Sequence, residues 1–153
     1  MIGRMGVIYG YYAAADDGDA AGAIVREDEE LFGAGYDEVE VKGIDPMVDL
    51  LPAETLITGL SAETVESDPR RGELIAAVED AGAISLSLTD TFRDALAAFD
   101  KQLLDAVAQG WAASGAFYTP PDPSDLSDFL RKLSALAERA VGRGQRLYCW
   151  ICP

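Results

Sequence analysis

Ser124–Cys152, SDLSDFLRKLSALAERAVGRGQRLYCWIC, decides the fold, because it reads as one amphipathic helix followed by one buried strand. Leu126, Phe129, Leu130, Leu133, Leu136, Ala137, Ala140 and Val141 recur at steps of three and four, so they form one apolar stripe with charged and polar residues on the other side. Ser124 is the expected N-cap behind the Pro120-Pro121-Asp122-Pro123 breaker. Asp125 and Asp128 suit the positive end of the helix dipole, and Arg139 and Arg143 the negative end. Gly142 and Gly144 stop the helix. The run Leu147–Cys152 is continuously apolar, which predicts a strand enclosed on both faces rather than an edge.

Upstream of this unit, residues 1–5 read as an N-terminal extension and residues 6–153 as a single domain. Val7–Ala13 is rich in strand formers, and Gly10 within it marks a bulge, a close approach of backbone, or a packing gap. An Asp of the 16–19 cluster caps a short helix to about Arg26, which the acids Glu27–Glu30 end; Leu31–Tyr36 is a loop. Glu38–Lys42 alternates charged and apolar residues, as a half-exposed strand does. Asp45-Pro46 signals a helix start with Met47, Val48, Leu50 and Leu51 on its apolar side; Pro52 either kinks that helix or opens a second turn toward Gly59.

Ser61–Ser67 reads as loop, and Arg70–Ala81 as a short helix with Gly82 at its C-cap. Ala83–Leu88 alternates as a strand with Ile84, Leu86 and Leu88 facing inward. Thr89-Asp90 then caps a second long helix, with Phe92, Leu96, Phe99, Leu103 and Val107 on one face, running to Gly110. The expected fold class is α+β: a small mixed β-sheet packed against two long amphipathic helices.

The 153 residues, 49% hydrophobic, are enough for one real core. Twenty-seven acidic against twelve basic residues leave a net charge of -15, which repels nucleic-acid phosphates and speeds encounter with a basic protein. Only three of the basic residues are Lys, so a salt-rich habitat is another source of the acidity. No run of about 18 apolar residues and no basic-then-apolar leader is present, so neither a membrane span nor export is expected and the cytoplasm is the default compartment. Histidine is absent, which excludes imidazole general acid/base chemistry, Ser-His and Cys-His nucleophiles, and imidazole metal ligands.

Cys149-Trp150-Ile151-Cys152 has C-x-x-C spacing, but in an extended strand those Cα atoms lie roughly 10 Å apart on opposite faces, beyond disulfide reach. Core thiols are expected, and only a site shared between two chains could complete a zinc sphere. Asp16, Asp17 and Asp19 lack calcium-loop spacing, and no glycine loop has the order or the lysine of a phosphate cradle. Neither a metal nor a cofactor is expected. Tyr9, Tyr11, Tyr12, Trp111, Phe117, Tyr118, Tyr148 and Trp150 form an aromatic set of the kind that lines small-ligand pockets or fills a core. Tyr9, Tyr11, Tyr12, Trp111, Tyr118 and Trp150 are the candidate ligand-binding residues.

Met5-Gly6-Val7-Ile8 at the start, Leu56-Ile57-Thr58-Gly59 after an Asp-containing helix, and the closing Leu-rich helix, Gly-Arg-Gly turn and apolar strand together resemble the YfbM-like family of bacterial proteins of unknown function. The resemblance implies a compact α+β domain with no established activity and no catalytic residues to transfer. The functional expectation is a non-enzymatic protein-interaction module, an immunity-type or regulatory partner of a basic protein. The alternative is a small-ligand-binding protein or hydrolase-like enzyme using carboxylates and tyrosines near Trp111 and Tyr118. Aromatics at a flat exposed patch would point instead to a homodimer.

Overall fold

The computed structural model describes residues 6–27, 30–119 and 121–153. The expected N-terminal extension and the middle of the Glu27–Glu30 run lie outside the described residues. The chain builds β1 (Ile8–Ala14), α1 (Asp17–Ala21), β2 (Glu38–Lys42), α2 (Leu51–Thr58), α3 (Ala62–Glu66), β3 (Leu74–Val78), β4 (Ala83–Ser87), α4 (Asp90–Ala98), α5 (Leu104–Ala112), α6 (Pro123–Gly142) and β5 (Arg146–Cys152). The strands form one sheet in the order β2-β1-β5-β4-β3. Every neighbouring pair is antiparallel, so the sheet is not the mixed one expected; even the long helical connection from β4 to β5 returns the chain in the opposite direction.

The centre of the sheet is β5, enclosed on both faces from Leu147 to Trp150 as its unbroken apolar run predicts. Alternation along β1 and β5 sends Tyr9, Tyr11, Ala13, Leu147 and Cys149 to one face, under a layer of α2, α4, α5 and α6. Tyr12, Ala14, Tyr148 and Trp150 go to the other face, covered by Ala20–Ile24, Phe32 and Tyr36. The stripe of α6 buries Leu126, Phe129, Leu130, Leu133, Leu136, Ala137 and Ala140 in the helix-side core. Its N-cap is Asp122, two residues before the expected Ser124: the Asp122 carboxylate accepts both the amide and the hydroxyl of Ser124 at 2.9 Å.

Four local expectations are corrected. Arg70–Ala81 is not a helix: Gly72 lies at φ 75°, a left-handed value no helix interior admits, and Leu74–Val78 pairs with β4 through a turn in which Gly82 has φ 66°. The second long helix is broken into α4 and α5, because Phe99 and Asp100 are extended and Asp100 caps a short 3-10 helix at Lys101–Leu103. Ser61–Ser67 is not loop throughout: Ser61 accepts the Thr64 amide and opens α3. The Asp45-Pro46 segment is a turn, its Asp45 carboxylate accepting the Met47 and Val48 amides, and the helix begins at Leu51 with Pro52 in its first turn.

Candidate functional site

The candidate aromatic residues do not converge. Tyr9, Tyr11 and Trp111 lie in the helix-side core and Tyr12 and Trp150 on the opposite face, while Tyr118 is 88% exposed. Each enclosed polar tip below has a partner on the chain. The Tyr11 hydroxyl donates to the Ile44 carbonyl at 2.6 Å, and Trp111 Nε1 donates to the Asp49 carbonyl at 2.6 Å while its ring packs on Phe117 and Phe129. Trp150 lies across Gly10, where a Cβ would come within 2.1 Å of the indole, and donates Nε1 to Glu38 Oε2 at 2.9 Å. Gly10 therefore marks a close approach. These are the contacts of space-filling aromatics with satisfied donors.

The loop-covered face carries a polar network. Arg70 forks onto Asp17 with bonds of 2.9 and 3.0 Å, its guanidinium lies over the Tyr148 ring, and the Tyr148 hydroxyl donates to Asp17 at 2.8 Å. These bonds, the guanidinium's first, hold the Asp17 carboxyl below its usual range. Tyr12 donates to the Ala20 carbonyl and shares a 2.5 Å bond with Ser85, and Ser87 donates to the Arg70 carbonyl. Ala83, Ser85 and Ser87 are the fully enclosed residues of β4, whereas Ile84 and Leu86, expected to face inward, are half-buried. The network ties α1 and the Arg70 turn to the sheet, leaving the buried Arg70 Nε without a hydrogen-bond partner.

Two places differ from this pattern. The first is the outer edge of β2. Ala13 donates to the Asp37 carbonyl, and in the register continuing from that pair Val39 and Val41 turn their backbone groups toward β1. Glu38, Glu40 and Lys42 turn theirs outward, and among the described residues no backbone bond from another element reaches them. A hollow of about 220 Å³ beside this edge is lined by Val39, Glu40, Val41, Asp125, Asp128, Phe129 and Lys132, three carboxylates against one ammonium over an apolar floor. Asp37, just before β2, binds Arg139 of α6 at 2.7 and 3.0 Å, which fixes the helix beside the strand and lowers the Asp37 carboxyl.

The second is Glu54 on α2. Its position on the buried stripe Leu50, Ala53, Glu54 and Ile57 follows from helical periodicity, and it is only 4% exposed. Arg71 Nε reaches Glu54 Oε1 at 3.3 Å, but the Arg71 Nη2 is bonded to the Met47 carbonyl at 2.9 Å. Burial raises the Glu54 carboxyl to about 7, with Arg71 opposing and Asp68 reinforcing the rise. Glu54 borders a hollow of about 330 Å³ together with Thr58, Leu60, Thr64, Val65, Ser67, Asp68, Pro69, Thr89 and Thr91. An enclosed carboxyl with a raised pKa at a hydroxyl-lined hollow is the arrangement that marks functional sites.

Compared with protein-family models, curated proteins and solved structures, the chain matches none. Of the two places, the sequence singles out the half-exposed Glu38–Lys42 strand, with the Asp37, Glu38 and Glu40 acids as a docking surface or a solvated face, but not Glu54. A charged residue on the apolar stripe of α2 was the available signal for Glu54, and the alternation of Glu38–Lys42 was the signal for an edge. No helix among the described residues is long and apolar enough to cross a membrane.

Proposed function

We propose that the protein is an acidic, non-enzymatic interaction module, an immunity-type or regulatory partner for a basic protein, which takes up an extended segment of that partner along the outer edge of β2. The observation that carries this is the open row of backbone groups at Glu38, Glu40 and Lys42 beside Asp125 and Asp128. Strand addition draws affinity from main-chain hydrogen bonds and specificity from alternate side chains. A second copy of β2 in the fully overlapped antiparallel register would set Glu40 against Glu40, whereas a strand with Lys or Arg opposite Glu38 and Glu40 meets opposite charges at both. The net charge of -15 speeds the encounter in a salt-dependent way.

The test is fluorescence anisotropy of a labelled peptide alternating Lys and Val, with a Glu-Val peptide and a peptide of the same composition with its lysines clustered as controls. The alternating peptide binds at low salt and weakens as salt rises. Glu40→Pro removes an outward donor while sparing the bonds to β1, and it abolishes binding while the circular dichroism stays unchanged. Equal affinity for the clustered peptide, or full binding by Glu40→Pro, would sink the strand-addition reading.

A further inference from the structure

The hollow at Glu54 combines three features that the paired acids of the surface lack. It is concave and about 330 Å³ in volume, within the range of small-ligand sites. Glu54 borders it, almost wholly enclosed, with its carboxyl held by a single 3.3 Å contact. No basic residue lines it: Arg71 stands behind Glu54 with its Nη groups directed to Met47 and Pro46.

The surrounding backbone has the same bias. Thr58 and Leu60 come from the C-terminal end of α2, and Thr64 to Ser67 from the last turn of α3 and its cap, so the carbonyl ends of two helices meet here. The N-terminal turn of α4 opposes them, but Thr89 already accepts the Phe92 amide and Asp90 adds a carboxylate to that turn. Asp68 accepts the Arg70 amide through Oδ1 and completes the acidic lining.

We infer that this hollow is a socket for a compact organic cation, a primary ammonium or guanidinium group, received by Glu54 and Asp68 with the hydroxyls of Thr58, Thr64 and Thr91 around it. An inorganic cation is poorly matched, because the described residues hold no group of three or more Cys, Asp or Glu placed to ligate a metal ion. The Thr and Ser walls suit the several N–H donors of an ammonium or guanidinium. The cation belongs either to a small amine or to a Lys or Arg side chain of a bound protein. The inference goes beyond the β2 reading and does not depend on it.

The test is an amide-resolved NMR titration of the whole protein with agmatine, with butyrate and inorganic phosphate as anionic controls. Agmatine shifts the amides of Thr58, Thr64, Ser67 and Thr91 as one saturable set, and the anions do not. Glu54→Gln weakens binding by about tenfold or more, as expected for loss of a charge-assisted bond. Asp68→Asn, at a more open position, weakens it less, and Glu79→Gln, on the exposed surface, leaves it unchanged. A single-Arg peptide that shifts the same amides and competes with agmatine identifies a protein side chain as the source, whereas agmatine binding with the peptide excluded identifies a free amine. Shifts scattered over the acidic surface, phosphate acting on the same amides, or unchanged affinity in Asp68→Asn would overturn the socket, and the last decides the matter even if Glu54→Gln fails to fold.

Discussion

The two faces of the sheet use the same strands and solve different problems. On the helix side, β1 and β5 present Tyr9, Tyr11, Leu147 and Cys149 to a dry layer in which ionised groups are few and deeply set, as at Glu54 and Arg71. On the loop side, Tyr12 meets the enclosed Ser85, while Tyr148 and Trp150 meet Asp17, Arg70 and Glu38, groups that still touch solvent. A helix brings a continuous apolar stripe; an irregular segment cannot, so it attaches through the polar ends of large aromatics. The dry layer should therefore respond strongly to lost volume and to buried charge, and the wet one weakly to either.

The largest effect is expected from Leu133→Ala, which empties a fully enclosed site beneath α6 and should cost about 2–5 kcal/mol in urea unfolding. A cost under about 1 kcal/mol would mean that the helix layer collapses readily, and the contrast between the faces would fail.

Next comes pH. The Glu54 carboxyl has an ordinary value of 4.5 and lies at about 7 in the fold, so the native protein keeps a proton that the unfolded chain has released. Stability should thus fall as pH rises from 4.5 to 7, by up to about 3 kcal/mol, and level off above that. Glu54→Gln should flatten this slope. Asp17 on the wet face has the opposite sign: Arg70 lowers its carboxyl, so its contribution is present at neutral pH and is lost only as pH falls through the lowered value. Parallel slopes in the wild type and Glu54→Gln would place the titrating group elsewhere.

The smallest effect is Tyr148→Phe, which removes one hydroxyl from Asp17 while the Arg70 fork remains, and should cost about 0.5–1.5 kcal/mol. A larger loss, measured by the same unfolding curves, would show that the network acts as a unit.

The helix α6 and the strand β5 that follows it were the legible part of the fold. The stripe of α6 and the enclosed run of β5 are written in periodicities that burial obeys. The hairpin of β3 and β4 was hidden because Leu74, Ile75 and Val78 satisfy a helical spacing as well as a strand, and only Gly72 with its left-handed backbone breaks the tie. The break between α4 and α5 was masked by an apolar period that continues through Phe99 and Leu103. The candidate aromatics were chosen by residue type, which carries no information about facing, so alternation along β1 separated Tyr11 from Tyr12. Glu54 was legible in principle, since an acid on the stripe of α2 conflicts with its neighbours, and such conflicts gather where function or strain resides.

Among the strands, β5 alone touches both halves of the sheet: β1 with β2 on one flank, β4 with β3 on the other. Until the ribosome has delivered it, the earlier hairpins have nothing to join them, and their inner borders stay bare. Assembly must therefore wait on a long-range closure, which makes it slow and leaves the newborn chain open to capture by chaperones or by its own neighbours.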